Sequence, residues 1–502
     1  MKTSNSAVTR RGKNKRMKKL PIYLTGINLI ISIIVLNLII TAFPQLKLDL
    51  TKNKIHTLSP STKKIIKQLD DIVNIKVYLT QQLPPEVEPL SHSLKTILKE
   101  FSGLNNSNFI VKYIDPGKND DIKTEALRAG IQPLQFSSVK GDKFEISNGF
   151  FGLTLSYADQ KETLPVASDI GNIEYFLVST IRKMATEKIP TLLVSSGHSE
   201  IDSTETQILT KYLNQIYQLK TVDLSDTESQ FDDSATTLLM LGPKEELNPE
   251  AIEKIVAWVE QKKGLILLMD KFNINTNLQS FPIPNLGIED LLNKNGIKLE
   301  DKLVLDESSS IANFQGPTGP FLTRYPYWIK IRPENFNADI PVVSGLNSLL
   351  LYWASPLTLS DPAQSLFTSS QYSWLADENA DLSPTEQEKA PDSEFKTNTL
   401  AAINSQDVKL AVIGDTDFIK DQFVINNQSN LSLLMNLVDY FSSDESLLSI
   451  RSKTLDPAPI IPLKDELKQL VKWGNMAISP IILLIVFFIF SFIRRRRNQR
   501  FI

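Results

Sequence analysis

Apolar and polar positions follow three regimes along this chain. Residues 20–43 and 473–493 are uncharged apolar runs of 24 and 21 residues. At about 1.5 Å per residue, each is long enough to cross a bilayer core of roughly 30 Å. The pattern therefore predicts two transmembrane helices flanking residues 44–472, a body in which short apolar runs alternate with amphipathic stretches.

In the first half of the body, Ser59-Pro60 opens a helix, with the serine as N-cap and the proline at the first helical position. A strand follows at 73–79 (VNIKVYL), then a helix over 86–102 that carries Leu90, Leu94, Ile97, Leu98 and Phe101 on one face. A strand at 109–114, the turn Asp115-Pro116-Gly117 and a short helix near 120–129 closed by Gly130 come next. Extended pieces at 135–139, 150–157 and 162–166 lead into a helix over 170–185. The order β-α-β-α-β-β-β-α is that of a thioredoxin-like α/β unit, assigned to residues 44–186, without the CxxC of a redox protein.

The second half has the apolar strands of a buried parallel sheet at 191–195, 237–241, 265–269 and 409–413. Helices near 203–218 and 248–262 alternate with them, and another is expected near 429–441. This is a doubly wound, flavodoxin- or Rossmann-like α/β domain over residues 187–443. Residues 306–400 read as less regular, with a mobile loop at 376–394, and residues 444–472 as a tether. The expected fold class is thus α/β, anchored by two transmembrane helices, with an extracytoplasmic body of two α/β units.

Charge supports that topology. The net charge of −3 hides eight Lys/Arg in residues 1–19 and five Arg in residues 494–502, with no acid in either tail. What remains is 41 basic against 57 acidic residues. Basic tails beside apolar spans are retained on the cytoplasmic side, so both termini are expected there and the body beyond the inner membrane. The tails then contact lipid rather than nucleic acid. Cysteine is absent, which excludes disulfides, thiol nucleophiles and thiolate metal sites.

No GxxxxGK[ST] or GxGxxG loop is present, so the chain lacks the familiar means of cradling ATP. The string Ser195-Ser196-Gly197-His198-Ser199-Glu200 lies between a buried strand and a helix, where open α/β sheets place ligands. As a hydrolase site it would use a serine nucleophile and His198 as base, yet G-x-S-x-G is missing. The plainer reading is a glycine turn with a helix cap. After the strand at 409–413 come Gly414-Asp415-Thr416-Asp417. Carboxylates at i, i+2 suit Mg²⁺ or Ca²⁺, and Asp and Gly are equally ordinary turn formers. Phe321, Tyr325, Tyr327 and Trp328 would either stack on a ligand or pin an irregular segment to the core. Candidate ligand-contacting residues are therefore Ser196, Gly197, His198, Glu200, Asp415, Asp417, Tyr325, Tyr327 and Trp328, with no catalytic residue, metal or cofactor assigned.

The succession LDLTKNKIHTLSPSTKKIIKQL, VNIKVYLT, VKYIDPGK, EALRAGIQP, LPVASDIGNIEYFLVSTIRKM, SSGHSE, YPYWIKIRP and IGDTDF resembles GldG-like auxiliary proteins of ABC transport systems, including those tied to gliding motility. The resemblance runs from about residue 47 to the last apolar span. It implies a non-enzymatic subunit that works with a separate ATPase and a separate permease, and it carries over no catalytic residues. A cell-envelope scaffold independent of any transporter is the second reading, and an exported hydrolase the third.

Overall fold

The computed structural model describes residues 57–442 except 82–86, 105–107, 141–142, 167–172, 187–188, 317–318, 377–381, 385–393 and 426, together with residue 450 and residues 467–477. The first helix, α1 (Pro60–Lys67), begins as the sequence demands: Pro60 is at its first turn and the Ser59 hydroxyl accepts the Thr62 amide at 3.0 Å. Then follow β1 (Val73–Leu79), α2 (Glu88–Leu104), β2 (Phe109–Ile114), α3 (Asp120–Arg128), β3 (Pro133–Lys140), β4 (Lys143–Tyr157), β5 (Gln160–Leu164) and α4 (Ile173–Ala185). This is the expected alternation of elements. β1 is parallel to β2 and antiparallel to β4, while β3 and β5 pair with the two halves of β4. β2 lies at the end of the sheet.

The second unit opens with β6 (Thr191–Ser196), α5 (Gln207–Asn214), β7 (Gln218–Asp223), β8 (Ala235–Leu241), α6 (Pro249–Glu260) and β9 (Gly264–Leu268). A small hairpin of β10 (Phe272–Ile274) and β11 (Ser280–Pro282) precedes α7 (Glu289–Lys294) and β12 (Ile297–Leu299). Residues 306–400 are richer in strands than the sequence suggests. They hold the end of β13 (Leu303–Asp306), then β14 (Ser309–Gly316), β15 (Gly319–Ile331), β16 (Leu349–Tyr352), β17 (Leu357–Leu359), β18 (Gln364–Thr368) and β19 (Ser373–Ala376). β14, β15 and β16 form their own antiparallel sheet, and β13 pairs with β19. The domain ends with β20 (Thr399–Asn404), β21 (Lys409–Ile413), α8 (Asp421–Val424) and α9 (Gln428–Phe441).

The main sheet runs β7-β6-β8-β9-β21 with all neighbours parallel, and continues antiparallel through β20, β17 and β12. Alternate side chains of β9 show why helices cover both faces. Leu265 and Leu267 share one core with Ile255 and Val259 of α6, while Ile266 and Leu268 share another with Leu434 and Leu437 of α9. That second core is continuous with Leu98 and Phe101 of α2 and with Leu177 and Ile181 of α4, so both units are built on one apolar interior.

The expected fold class needs one correction. Among the described residues no helix is long and apolar enough to cross a membrane. The longest, α2, has 17 residues and buries only a stripe of them, with Lys95 and Lys99 exposed on the other side. A helix with such a polar face covers a core rather than a bilayer. The fold is therefore a mixed α/β body with no described membrane helix. Residues 20–43 and both basic tails lie outside the described residues, as do residues 478–493.

Candidate functional site

The parallel strands have the order 2-1-3-4-5, so chain direction across the sheet reverses between β6 and β8. Crevices at such reversals, at the carboxyl ends of the strands, are where open α/β sheets accommodate ligands. Here four loops meet: Gly197–Glu200 after β6, Gly242 after β8, Asp270 after β9 and Gly414–Asp417 after β21.

The first loop is a tight turn held from within. Gly197 has φ +101°, and a Cβ there would sit 2.3 Å from Asp223 Oδ1 and 2.9 Å from the Ser225 amide. Ser199 also has positive φ, at 56°. Glu200 closes the turn: its Oε1 accepts the Ser195 hydroxyl and its Oε2 the His198 amide, both at 2.8 Å. The Ser196 hydroxyl bonds the Val222 carbonyl at 3.4 Å. His198 is 4% exposed, and its Nδ1 has no hydrogen-bond partner. Both serines of β6 thus give their hydroxyls elsewhere, and the imidazole receives neither. A nucleophile–base pair needs that contact.

The loop after β21 is bound just as firmly. Asp415 is fully buried; Tyr352 N–H donates to its Oδ2 and Asp417 N–H to its Oδ1, both at 2.7 Å. Asp415 therefore acts as a backbone clamp, with both oxygens engaged. Thr416 N–H donates to Asp270 Oδ1 at 2.8 Å, and the Thr416 side chain fills the space left by the missing Cβ of Gly242. Asp417 pairs with Lys420 at 2.8 Å, and Lys420 reaches Glu205 at 3.7 Å. Asp421 accepts the amides of Gln207 and Ile208, at 3.0 Å each, at the start of α5.

Three carboxylates share this corner. Burial pushes the Asp270 carboxyl up to about 7, helped by the charge of Asp417 and opposed by Thr416 and Lys244. Asp415 is raised well above the carboxylate range by burial, then by Asp270 and Asp417. Burial works against the Lys420 ammonium, yet Asp417, Glu205 and Asp270 outweigh it and raise its pKa. Among the described residues, no group of three His, Cys, Asp or Glu side chains is suited to hold a metal ion.

Of the aromatic residues singled out by sequence, Tyr325 and Tyr327 are core, at 0% and 2% exposed. The Tyr325 hydroxyl donates to the Leu382 carbonyl at 2.8 Å, which ties one point of the 376–394 loop to the core. Trp328 is half-buried and meets Tyr352 edge-to-face at 5.1 Å. Tyr352 in turn stacks on Phe423 at 3.8 Å. Because the Tyr352 amide holds Asp415, the aromatic group buttresses the crevice from behind and Tyr325 and Tyr327 do not line it. Sequence reasoning missed Asp270, Lys244 and Lys420. The only signal was an acid ending the apolar run LILLM, a common turn position.

Fold and site together define a two-unit α/β body with a firmly braced crevice, in a sequence without the familiar nucleotide-binding motifs. The chain belongs to the family described as an ABC-type uncharacterized transport system, whose model matches residues 189–444, half of the chain. A second model, described as a domain of unknown function, matches residues 52–156. An uncharacterized protein of Borreliella burgdorferi is 25% identical, over 94% of this chain and 96% of its own length. Among solved structures, the mmIFT52 N-terminal domain is 14% identical and covers 50% of this chain and 97% of its own, with a TM-score of 0.36. PurLQS from Thermotoga maritima is 9% identical and covers 50% and 99%, with a TM-score of 0.29.

Proposed function

We propose that the chain is a non-enzymatic auxiliary subunit of an ABC-type transport system, of the GldG-like kind, and that the crevice at the carboxyl ends of β6, β8, β9 and β21 receives its substrate or a partner subunit. ATP hydrolysis and passage through the membrane belong to separate ATPase and permease chains. One observation supports the non-enzymatic reading: the Ser195 hydroxyl goes to Glu200 and the Ser196 hydroxyl to the Val222 carbonyl, so neither serine of β6 is paired with the His198 imidazole. Family membership supports the transport role. The test is affinity purification of the tagged full chain in mild detergent from its native cells, with an ABC ATPase and a permease sought by mass spectrometry among the recovered proteins. Recovery of both is expected, and their absence overturns the proposal.

A further inference from the structure

The first unit carries a surface outside the crevice. Among the described residues β2 pairs with β1 alone, so its other edge offers unpaired N–H and C=O groups. Beside that edge, α2 overhangs a groove of about 720 Å³. Its apolar lining comes from Leu98 of α2 and from Val111 and Tyr113 of β2, and Tyr113 is 50% exposed. Its rim carries Lys95 and Lys99, one turn apart on α2, and Lys118 beyond the end of β2. Among the described residues the ammonium groups of these three lysines make no ion pair or side-chain hydrogen bond, and all three residues are exposed. Two acids also line the groove. One oxygen of Asp115 is taken by the Gly117 amide at 2.9 Å, and Glu88 lies in the first turn of α2, where the helix dipole favours it.

An exposed strand edge is a template for another strand, and native proteins usually blunt it or use it. Here the groove beneath α2 runs along β2, and three lysines against two acids leave its lining net positive. From the free edge of β2 and its three unpaired lysines, we infer that this groove binds an extended acidic segment of a partner chain, which adds to the sheet alongside β2. Backbone pairing with Phe109–Ile114 supplies register-independent affinity. Alternate side chains of the added strand point under α2, where carboxylates meet Lys95, Lys99 and Lys118. The side chains between them face the other side of the sheet, beside Ile110, which is 37% exposed.

The experiment uses the purified full chain and a peptide labelled at its N-terminus, fluorescein-(Glu-Val)4-amide, followed by anisotropy. Three comparisons accompany it: the (Lys-Val)4 peptide, an acidic peptide N-methylated at alternate residues so that one edge cannot pair, and inorganic polyphosphate. Saturable binding of the acidic peptide is expected, weakened at least tenfold by N-methylation and at least tenfold in the Lys95→Glu, Lys99→Glu double variant. Both lysines are exposed, so circular dichroism of that variant should match the parent. The inference is overturned if the acidic peptide fails to bind, or if the (Lys-Val)4 or N-methylated peptide binds as well. It is also overturned if polyphosphate displaces the peptide with equal affinity per charge, which would mark a simple anion patch.

Discussion

Glu174 and Tyr175 are consecutive in sequence and hold opposite halves of the molecule. Glu174 accepts the Ser59 amide at 2.7 Å and the Thr62 hydroxyl at 2.6 Å, at the start of α1. Tyr175 donates its hydroxyl to buried Asp439 of α9 at 3.1 Å, and Tyr217 donates to the same carboxyl group at 2.5 Å. Successive helical residues point about 100° apart, so a single turn of α4 clamps both units. Tyr217→Phe removes one of these donors from a buried acceptor and is expected to cost about 1–3 kcal/mol. The urea midpoint should fall with an unchanged slope; a midpoint within error of the parent would show that the contact contributes nothing.

Gly197→Val should be severe. The position has positive φ, and the added Cβ would collide with Asp223 Oδ1 and the Ser225 amide. Strain of this kind costs about 1–3 kcal/mol before any clash is counted. His198→Ala removes a ring whose Nδ1 has no partner, so the turn and the Glu200 bonds remain. Co-purification of the ATPase and permease should survive His198→Ala and fail for Gly197→Val. Loss in the alanine variant, at normal expression, would restore a chemical role for the imidazole.

Asp270 makes stability depend on pH in an unusual direction. Its carboxyl is raised to about 7, first by burial and then by Asp417, whereas in the unfolded chain it titrates near 4. Between those values the folded state holds a proton that the unfolded state has released. Stability therefore falls as pH rises through that window and levels off above it. Asp415 is shifted the same way and adds to the slope. Asp270→Asn keeps an acceptor for the Thr416 amide and removes its share. Its advantage over the parent should grow from pH 5 to pH 8, reaching at most about 4 kcal/mol. Parallel stability curves for the two proteins would refute the assignment.

The purified chain should hydrolyse no ATP, since no phosphate-cradling glycine loop with its lysine is present. Phosphate release from ATP is the assay. Turnover that co-elutes with the chain after every partner subunit is removed would contradict this.

Sequence was most informative where local and tertiary demands agree. The strands at 73–79, 109–114 and 409–413 lie where their apolar patterns place them. β15 was hidden because GPFLTRYPYWIKI contains two prolines and an aromatic run without clean alternation. The structure admits it by placing Pro320 near the start of the strand and a register shift around Pro326, a bulge that relieves the missing N–H. The helix expected over 203–218 is shorter, because Asp202 caps a separate 3₁₀ turn and α5 starts only at Gln207. In the crevice, Glu200 was legible from its motif. Asp270 was not, since its significance lies in Asp417 and Thr416, about 146 residues away in sequence.

The acceptors that Asp421 lends to α5 bear on the order in which the chain matures. Gln207 and Ile208 obtain their first-turn partner from a residue 214 and 213 positions later. A ribosome adding 5–20 residues per second needs roughly 10–40 s to deliver it. Until then the start of α5 has only water for those amides, and the turn that precedes it has no brace on that side. The crevice is thus among the last features to set during synthesis, after both of its flanking strands have emerged. A truncated chain stalled before residue 421 would keep the turn that Glu200 closes after Ser195 and lack the brace at the start of α5.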